Sequence, residues 1–272
     1  MHGIAYDAAH DEIIVPVALA AAVLVFRGDA SGAASPARVI QGPNTQLIRP
    51  HTVGVDEKNG EIIVGDRSGS SVLVFRRDAN GDTPPARVIQ GEETGLLDVV
   101  GAAVDHVRDK MVVASISRVG GKTGIFIFNR TDTGNVAPRA VISGPRTGII
   151  RPWQLGLDSD RGKIFVAAIN NDYLPPYQLE KIREGLKPDV DIPSPWSGEN
   201  LGFIGVWDVN DNGDVPPHMI IKGPASLLVH PGGVAINARD GEVYATDSVR
   251  NGLLTFLVPE FFERLRPVSH GR

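Results

Sequence analysis

Residues able to do chemistry are few in this sequence, and most recur at fixed places. No cysteine occurs among the 272 residues, which excludes disulfides, zinc–thiolate sites and thiol nucleophiles. No G-x-S-x-G, no H-E-x-x-H and no phosphate-binding glycine loop is present. Asp208-x-Asn210-x-Asn212-Gly213 opens like a calcium loop, with oxygen side chains on alternate residues. Its twelfth position is Met219, where such a loop needs a bidentate Glu, and the missing ligand decides against calcium. Asp7, Asp56, Asp105 and Asp158 each close a short apolar stretch. Four equivalent catalytic bases would be odd, whereas four equivalent turn bonds to backbone would not. The other candidates are His51, Asp66, Arg67, Trp153, Asp247 and Arg250 beside such stretches, and Asn170, Asp172, Tyr173 and Trp196 in a long polar segment. Whether they meet depends on the elements that carry them.

Those elements are set by a repeat. An apolar stretch ending in Asp or Asn occurs as GIAYD at Asp7, TVGVD at Asp56, GAAVD at Asp105, QLGLD at Asp158 and GVAIN at Asn237. A turn leads to EIIVPV, EIIVGD, KMVVAS, KIFVAA and EVYATD, and a second turn to VLVF, VLVF, IFIF, IGVW and LLTF. A Gly/Asp/Pro turn then leads to ARVIQG, ARVIQG, RAVISG and HMIIKG, with no counterpart in the last unit. The spacing from Asp7 to Phe26 is repeated from Asp56 to Phe75 and from Asn237 to Phe256. Each stretch is short, rich in β-branched residues and bounded by turn formers, and none has a helical period, so each reads as a strand. Four short strands in a period near fifty make a propeller blade. One blade cannot bury both faces, so neighbours must stack around an axis.

The predicted fold is therefore all-β, a β-propeller of four-stranded antiparallel blades with five units. Their bounds are 2–50, 51–98, 99–152, 153–230 and 231–258, with an insertion at about 170–201 and a tail at 259–272. In DANGDTPP, Asn80-Gly81 supplies the positive-φ pair of a tight turn. Pro36, Pro85, Pro138 and Pro217 precede the fourth, outer strand, where proline is tolerated and discourages pairing with foreign edges. In the tail, Phe261, Phe262 and Leu265 are expected to cover an exposed blade end.

Arg49–Asp56 followed by Gly60–Asp66 resembles the NHL-repeat core P-x-G-I-A-V-D…G-x-I-Y-V-A-D, and Trp153–Asp158 and Pro231–Asn237 are similar to it. The resemblance implies a propeller whose blade-to-blade loops and second-to-third-strand loops share one face. That puts His2, His51, Val100, Trp153 and Gly232 at the channel mouth, with Asp66, Arg67, Asn170, Asp172, Asp247 and Arg250 nearby. A mouth lined this way suits a small ligand, although Asp66 and Asp247 equally suit backbone bonds in turns. The insertion leaves from the same face. Within it Tyr173, Tyr177 and Trp196 offer aromatic surface, YQLEKIREGLK has helical spacing, and loops of such length are usually functional or disordered.

Net charge is −5 with no basic run, which argues against a nucleic-acid partner or a polybasic membrane contact. The apolar run Val15–Phe26 is too short to span a bilayer. The expectation is a monomeric, non-enzymatic binding scaffold with no cofactor, taking a protein, peptide or saccharide. The alternative, from the same resemblance, is a metal-dependent lactonase or lyase at the channel mouth. Proteins of this repeat type usually carry an export signal and a further upstream blade. The reading is thus either a six-bladed, extracytoplasmic parent begun upstream of Met1, or a true five-bladed ring with one three-stranded blade.

Overall fold

The computed structural model describes residues 3–117, 121–169 and 202–263. Each repeat folds into one antiparallel sheet with strands in sequence order. Blade 1 holds β1 (Ala5–Asp7), β2 (Glu12–Val17), β3 (Ala22–Arg27) and β4 (Arg38–Gln41). Blade 2 holds β5 (Pro50–Asp56), β6 (Glu61–Asp66), β7 (Ser71–Arg76) and β8 (Arg87–Ile89). Blade 3 holds β9 (Asp98–Asp105), β10 (Lys110–Ile116), β11 (Gly124–Asn129) and β12 (Ala140–Ile142). Blade 4 holds β13 (Arg151–Asp158), β14 (Lys163–Ile169), β15 (Phe203–Asp208) and β16 (Met219–Ile221). Blade 5 has three strands, β17 (Pro231–Asn237), β18 (Glu242–Asp247) and β19 (Gly252–Leu257). The molecule is a five-bladed β-propeller.

The apolar core lies between blades, as the stacking argument requires. Val72 and Val74 of blade 2 pack with Met111, Val113, Phe126 and Phe128 of blade 3. Val23 and Val25 of blade 1 pack with Ile62, Val64, Leu73 and Phe75 of blade 2. Trp207 is fully buried and donates its indole N–H to the Val215 carbonyl at 3.2 Å. The outward faces of the end blades lack this cover. Ile4 is 66% exposed and Leu253 64%, while their repeat equivalents Val53 and Val72 are 6% and 0% exposed.

Local turn chemistry fixes the blades. Asp7, Asp56, Asp105 and Asp158 accept backbone N–H groups from His10, Asn59, Arg108 and Arg161, so they close turns. The segment from Asp208 to Gly213 is likewise a strand connection. Asp208 accepts from Asn210, and Asn212 Oδ1 accepts the Val141 N–H of the preceding blade.

The outer rim has a recurring latch. The glycine of each third turn makes a parallel bridge to the outer strand of the preceding blade, pairing Ile40 with Gly81, Ile89 with Gly134 and Ile142 with Gly213. Beside it, Asp82, Asn135 and Asp214 accept the N–H groups of Asn44, Glu93 and Arg146. Gly42 and Gly91, at φ 134 and 126, sit against the Asp82 and Asn135 side chains, where a Cβ would collide. Steric room and positive φ both require glycine there.

The tail departs from expectation. Pro259–Phe262 forms a 3-10 turn, but Phe261 and Phe262 pack into the core between blades 4 and 5, with Phe262 stacked on Phe165 at 5.4 Å. Lys163 Nζ donates to the Phe261 and Glu263 carbonyls, which holds the turn on blade 4. These aromatics find more apolar area between two sheets than at an edge, and among the described residues β19 pairs with β18 alone. Leu265 lies outside the described residues.

Candidate functional site

Four of the residues placed at the mouth sit at irregularities of the innermost strands. Pairing skips His51 in β5, Val100 in β9, Trp153 and Gln154 in β13, and Gly232 in β17. A bulge re-aims the side chain it releases. Val100 packs into the core between blades 3 and 4, while His51 and Trp153 meet at one end of the inner strands.

His51 of blade 2 stacks on Trp153 of blade 4, with centroids 5.7 Å apart and planes within 10°. His230, just before β17, is tilted against Trp153 with centroids 6.1 Å apart. Two guanidinium groups approach the indole, Arg151 at 5.2 Å and Arg67 at 5.9 Å. Arg67 is held from the far side by Asp98 at 3.0 Å. The stack spans blades 2, 4 and 5.

The predicted residues divide sharply. His51 is 2% exposed and stacked on Trp153. Trp153 and Arg67 are half-buried and stand together. Asp66 and Asp247 are buried and filled by backbone. Asp66 accepts the N–H groups of Ile48, Arg49 and Gly69. Asp247 accepts those of Val229, His230, Val249 and Arg250. Both clamp the incoming loop to the end of the second strand, the backbone role that the sequence equally allowed them. Arg250 points its Nε at the Leu227 carbonyl. Asn170, Asp172, Tyr173 and Trp196 lie outside the described residues, as do His2 and the helix read at Tyr177–Lys187. The insertion departs after Ile169, which pairs with Arg151 beside the indole.

Arg151 and His230 were not singled out from sequence. They occupy the same repeat column, at the entry to the first strand, which holds Arg49, Asp98, Arg151 and His230 in units two to five. Reading that column across repeats would have found them.

A cavity lies at the other end of the channel. It measures about 750 Å³ and is lined by inner-strand residues such as Val55, Ala103 and Leu157, with Lys58, His106 and Ser159 at its rim. Among the described residues, no cluster of three or more His, Asp or Glu side chains is placed to hold a metal ion. None of their helices is long and apolar enough to cross a membrane.

Burial lowers the pKa of His230 from its ordinary 6.5. The unfolded chain therefore takes up this proton first as pH falls, and the stability tied to neutral His230 is lost below about 6.5. The carboxylates held low, including Glu12 and Glu61, lose theirs only below the ordinary 4.5. Between pH 7.5 and 5.5 the urea midpoint of the wild-type chain should fall more than that of His230→Gln. Equal slopes would assign the dependence elsewhere.

No protein-family model matches the sequence, and no curated protein matches it. Among solved structures it is similar to a chain in the crystal structure of a nidogen/laminin complex, at 13% identity and TM-score 0.62 over 97% of this chain and 78% of that one. It is also similar to hydrazine synthase of Kuenenia stuttgartiensis, at 9% identity and TM-score 0.56 over 90% of this chain and 55% of that one. Such identities show a shared fold alone. The NHL-type motif stays a resemblance of the repeat sequence.

Proposed function

We propose that this propeller is a non-enzymatic interaction scaffold whose ligand lands on the loop face around Trp153. The observation that carries the reading is the clustering of one indole, two guanidinium groups and two imidazoles at a single end of the axis, drawn from three blades. A half-buried indole flanked by arginines offers a rigid apolar plane with donors at its edge, the composition that dominates binding energy at protein interfaces. The long insertion leaves from beside it, and long loops on a rigid scaffold are where recognition concentrates. The fold's occurrence in a nidogen/laminin complex supports a protein or peptide partner over a free small molecule.

The test is a panel of immobilised peptides and glycans, probed with the wild-type chain, Trp153→Ala, and a chain lacking residues 172–199. Trp153→Ala should weaken binding to the peptides retained by wild type at least about tenfold, in line with an aromatic hot spot. Its thermal melt should remain cooperative. Retention of the same peptides by both variants would overturn the reading, and binding confined to glycans would replace the peptide with a saccharide.

A further inference from the structure

The last blade offers an unfilled strand position whose chemistry is specified by the other blades. In blades 1 to 4 the third strand pairs on its outer side with a fourth, placing Val23 opposite Ile40, Val72 opposite Ile89, Ile125 opposite Ile142 and Ile204 opposite Ile221. The equivalent residue in β19 is Leu253, 64% exposed, and β19 has no outer neighbour among the described residues. Its outward backbone groups are known from the repeat. Val25, Val74, Ile127 and Val206 each accept an N–H from the residue leading into the fourth strand, and Thr255 stands at that place in β19.

The charge pattern goes further. The first residue of the second strand is Glu12, Glu61, Lys110, Lys163 and Glu242 in blades 1 to 5. Where it is Glu, the fourth strand brings an arginine: Arg38 grips Glu12 at 2.6 and 2.8 Å, and Arg87 grips Glu61 at 2.6 and 2.7 Å. Where it is Lys, the fourth strand has Ala140 or Met219 at the same register. Glu242 follows the first pattern without its base. It accepts from Asn237 and Tyr244, and among the described residues no cation pairs with it.

We propose that the outer edge of β19 binds an extended peptide strand of the pattern Arg-apolar-Ile, antiparallel to β19. The isoleucine covers Leu253 and the arginine closes a bidentate pair on Glu242. Strand addition takes its affinity from main-chain hydrogen bonds and its selectivity from alternate side chains, and here a charge-assisted fork supplies the selectivity. The site is separate from the Trp153 face and does not depend on it.

A synthetic peptide with the sequence of residues 82–93, which contains the blade 2 fourth strand, is the probe. Nuclear magnetic resonance titration of the full chain should perturb amides of residues 252–257. Replacing the peptide's arginine by Glu, or Glu242→Gln in the protein, should weaken binding at least about tenfold, the scale of a charge-assisted bond. Glu242→Arg should restore binding to the Glu peptide. Thr255→Pro removes only an outward N–H from an edge strand, so it should abolish binding and leave the melting curve unchanged. Equal binding of the Arg and Glu peptides, or full binding by Thr255→Pro, overturns the proposal. So does a concentration-dependent dimer that Thr255→Pro disperses, since a second copy would then occupy the edge.

Discussion

Asp66→Ala should destabilise the fold by about 3–5 kcal/mol, the cost of stripping a buried carboxylate from several backbone donors. The Asp66 side chain is fully buried. Its oxygens take Ile48 N–H at 2.7 Å, Arg49 N–H at 2.8 Å and Gly69 N–H at 2.8 Å. Alanine leaves three donors facing a hole, and the loop before β5 loses its tie to the end of β6. Blade 3 supplies a graded control, because Ser115 does this work there with one bond, to Leu97 N–H at 3.0 Å. Asp66→Ser should therefore recover part of the loss. Urea unfolding followed by circular dichroism orders the three chains. A midpoint for Asp66→Ala equal to wild type would show that water replaces the clamp at no cost.

Glu61→Ala should cost about 3 kcal/mol, because it leaves Arg87 without its anion and Arg130 with only the exposed Asp109 at 3.0 Å. Glu61 receives Arg87 from its own blade and Arg130 from the next at 3.2 Å, all three side chains being under 20% exposed. Burial alone would raise its pKa, but the hydrogen bond from Arg87 and the charges of Arg87 and Arg130 outweigh that and hold it below the ordinary 4.5. A depressed acid stabilises the fold above its unfolded pKa and loses that contribution as pH falls through the folded value. Wild-type stability should thus decline below about 4.5 more steeply than that of Glu61→Gln. A triple substitution of Glu61, Arg87 and Arg130 by apolar residues should destabilise less than Glu61→Ala alone, since an absent network strands no charge. If the triple variant is the worse of the two, the network contributes net stability and the single-variant cost is not a stranding effect.

The blades were legible because their signals are local. A strand of four to six apolar residues, a closing aspartate and a glycine turn are complete within a few positions, and repetition multiplied each weak cue. The site was legible only in part. His51 and Trp153 could be placed at one end of the channel from their repeat column and the family resemblance together, but their stacking depends on the distance across the axis, which no single repeat encodes. Asp66 and Asp247 carried the chemistry of a ligand contact and the position of a turn, and the exposed-looking alternative lost to the backbone donors that surround them. The large cavity at the opposite end had no sequence signal, since most of its lining is the aliphatic residues that any inner strand would carry. The tail aromatics were assigned to the right kind of work in the wrong place, because the gap between blades 4 and 5 exists only once both sheets are set side by side.

The rim bridges also bear on how the assembly carries load. Gly81, Gly134 and Gly213 each join one blade's main chain to the outermost strand before it. Force applied at the periphery of the first four sheets is thereby shared through peptide groups, independent of which side chains fill the interior. Gly223, which follows β16 as Gly42 and Gly91 follow β4 and β8, has no side chain packed against it among the described residues. The fifth sheet is joined to the fourth through Phe261, Phe262 and the Lys163 ammonium, a joint whose strength side-chain substitution can tune.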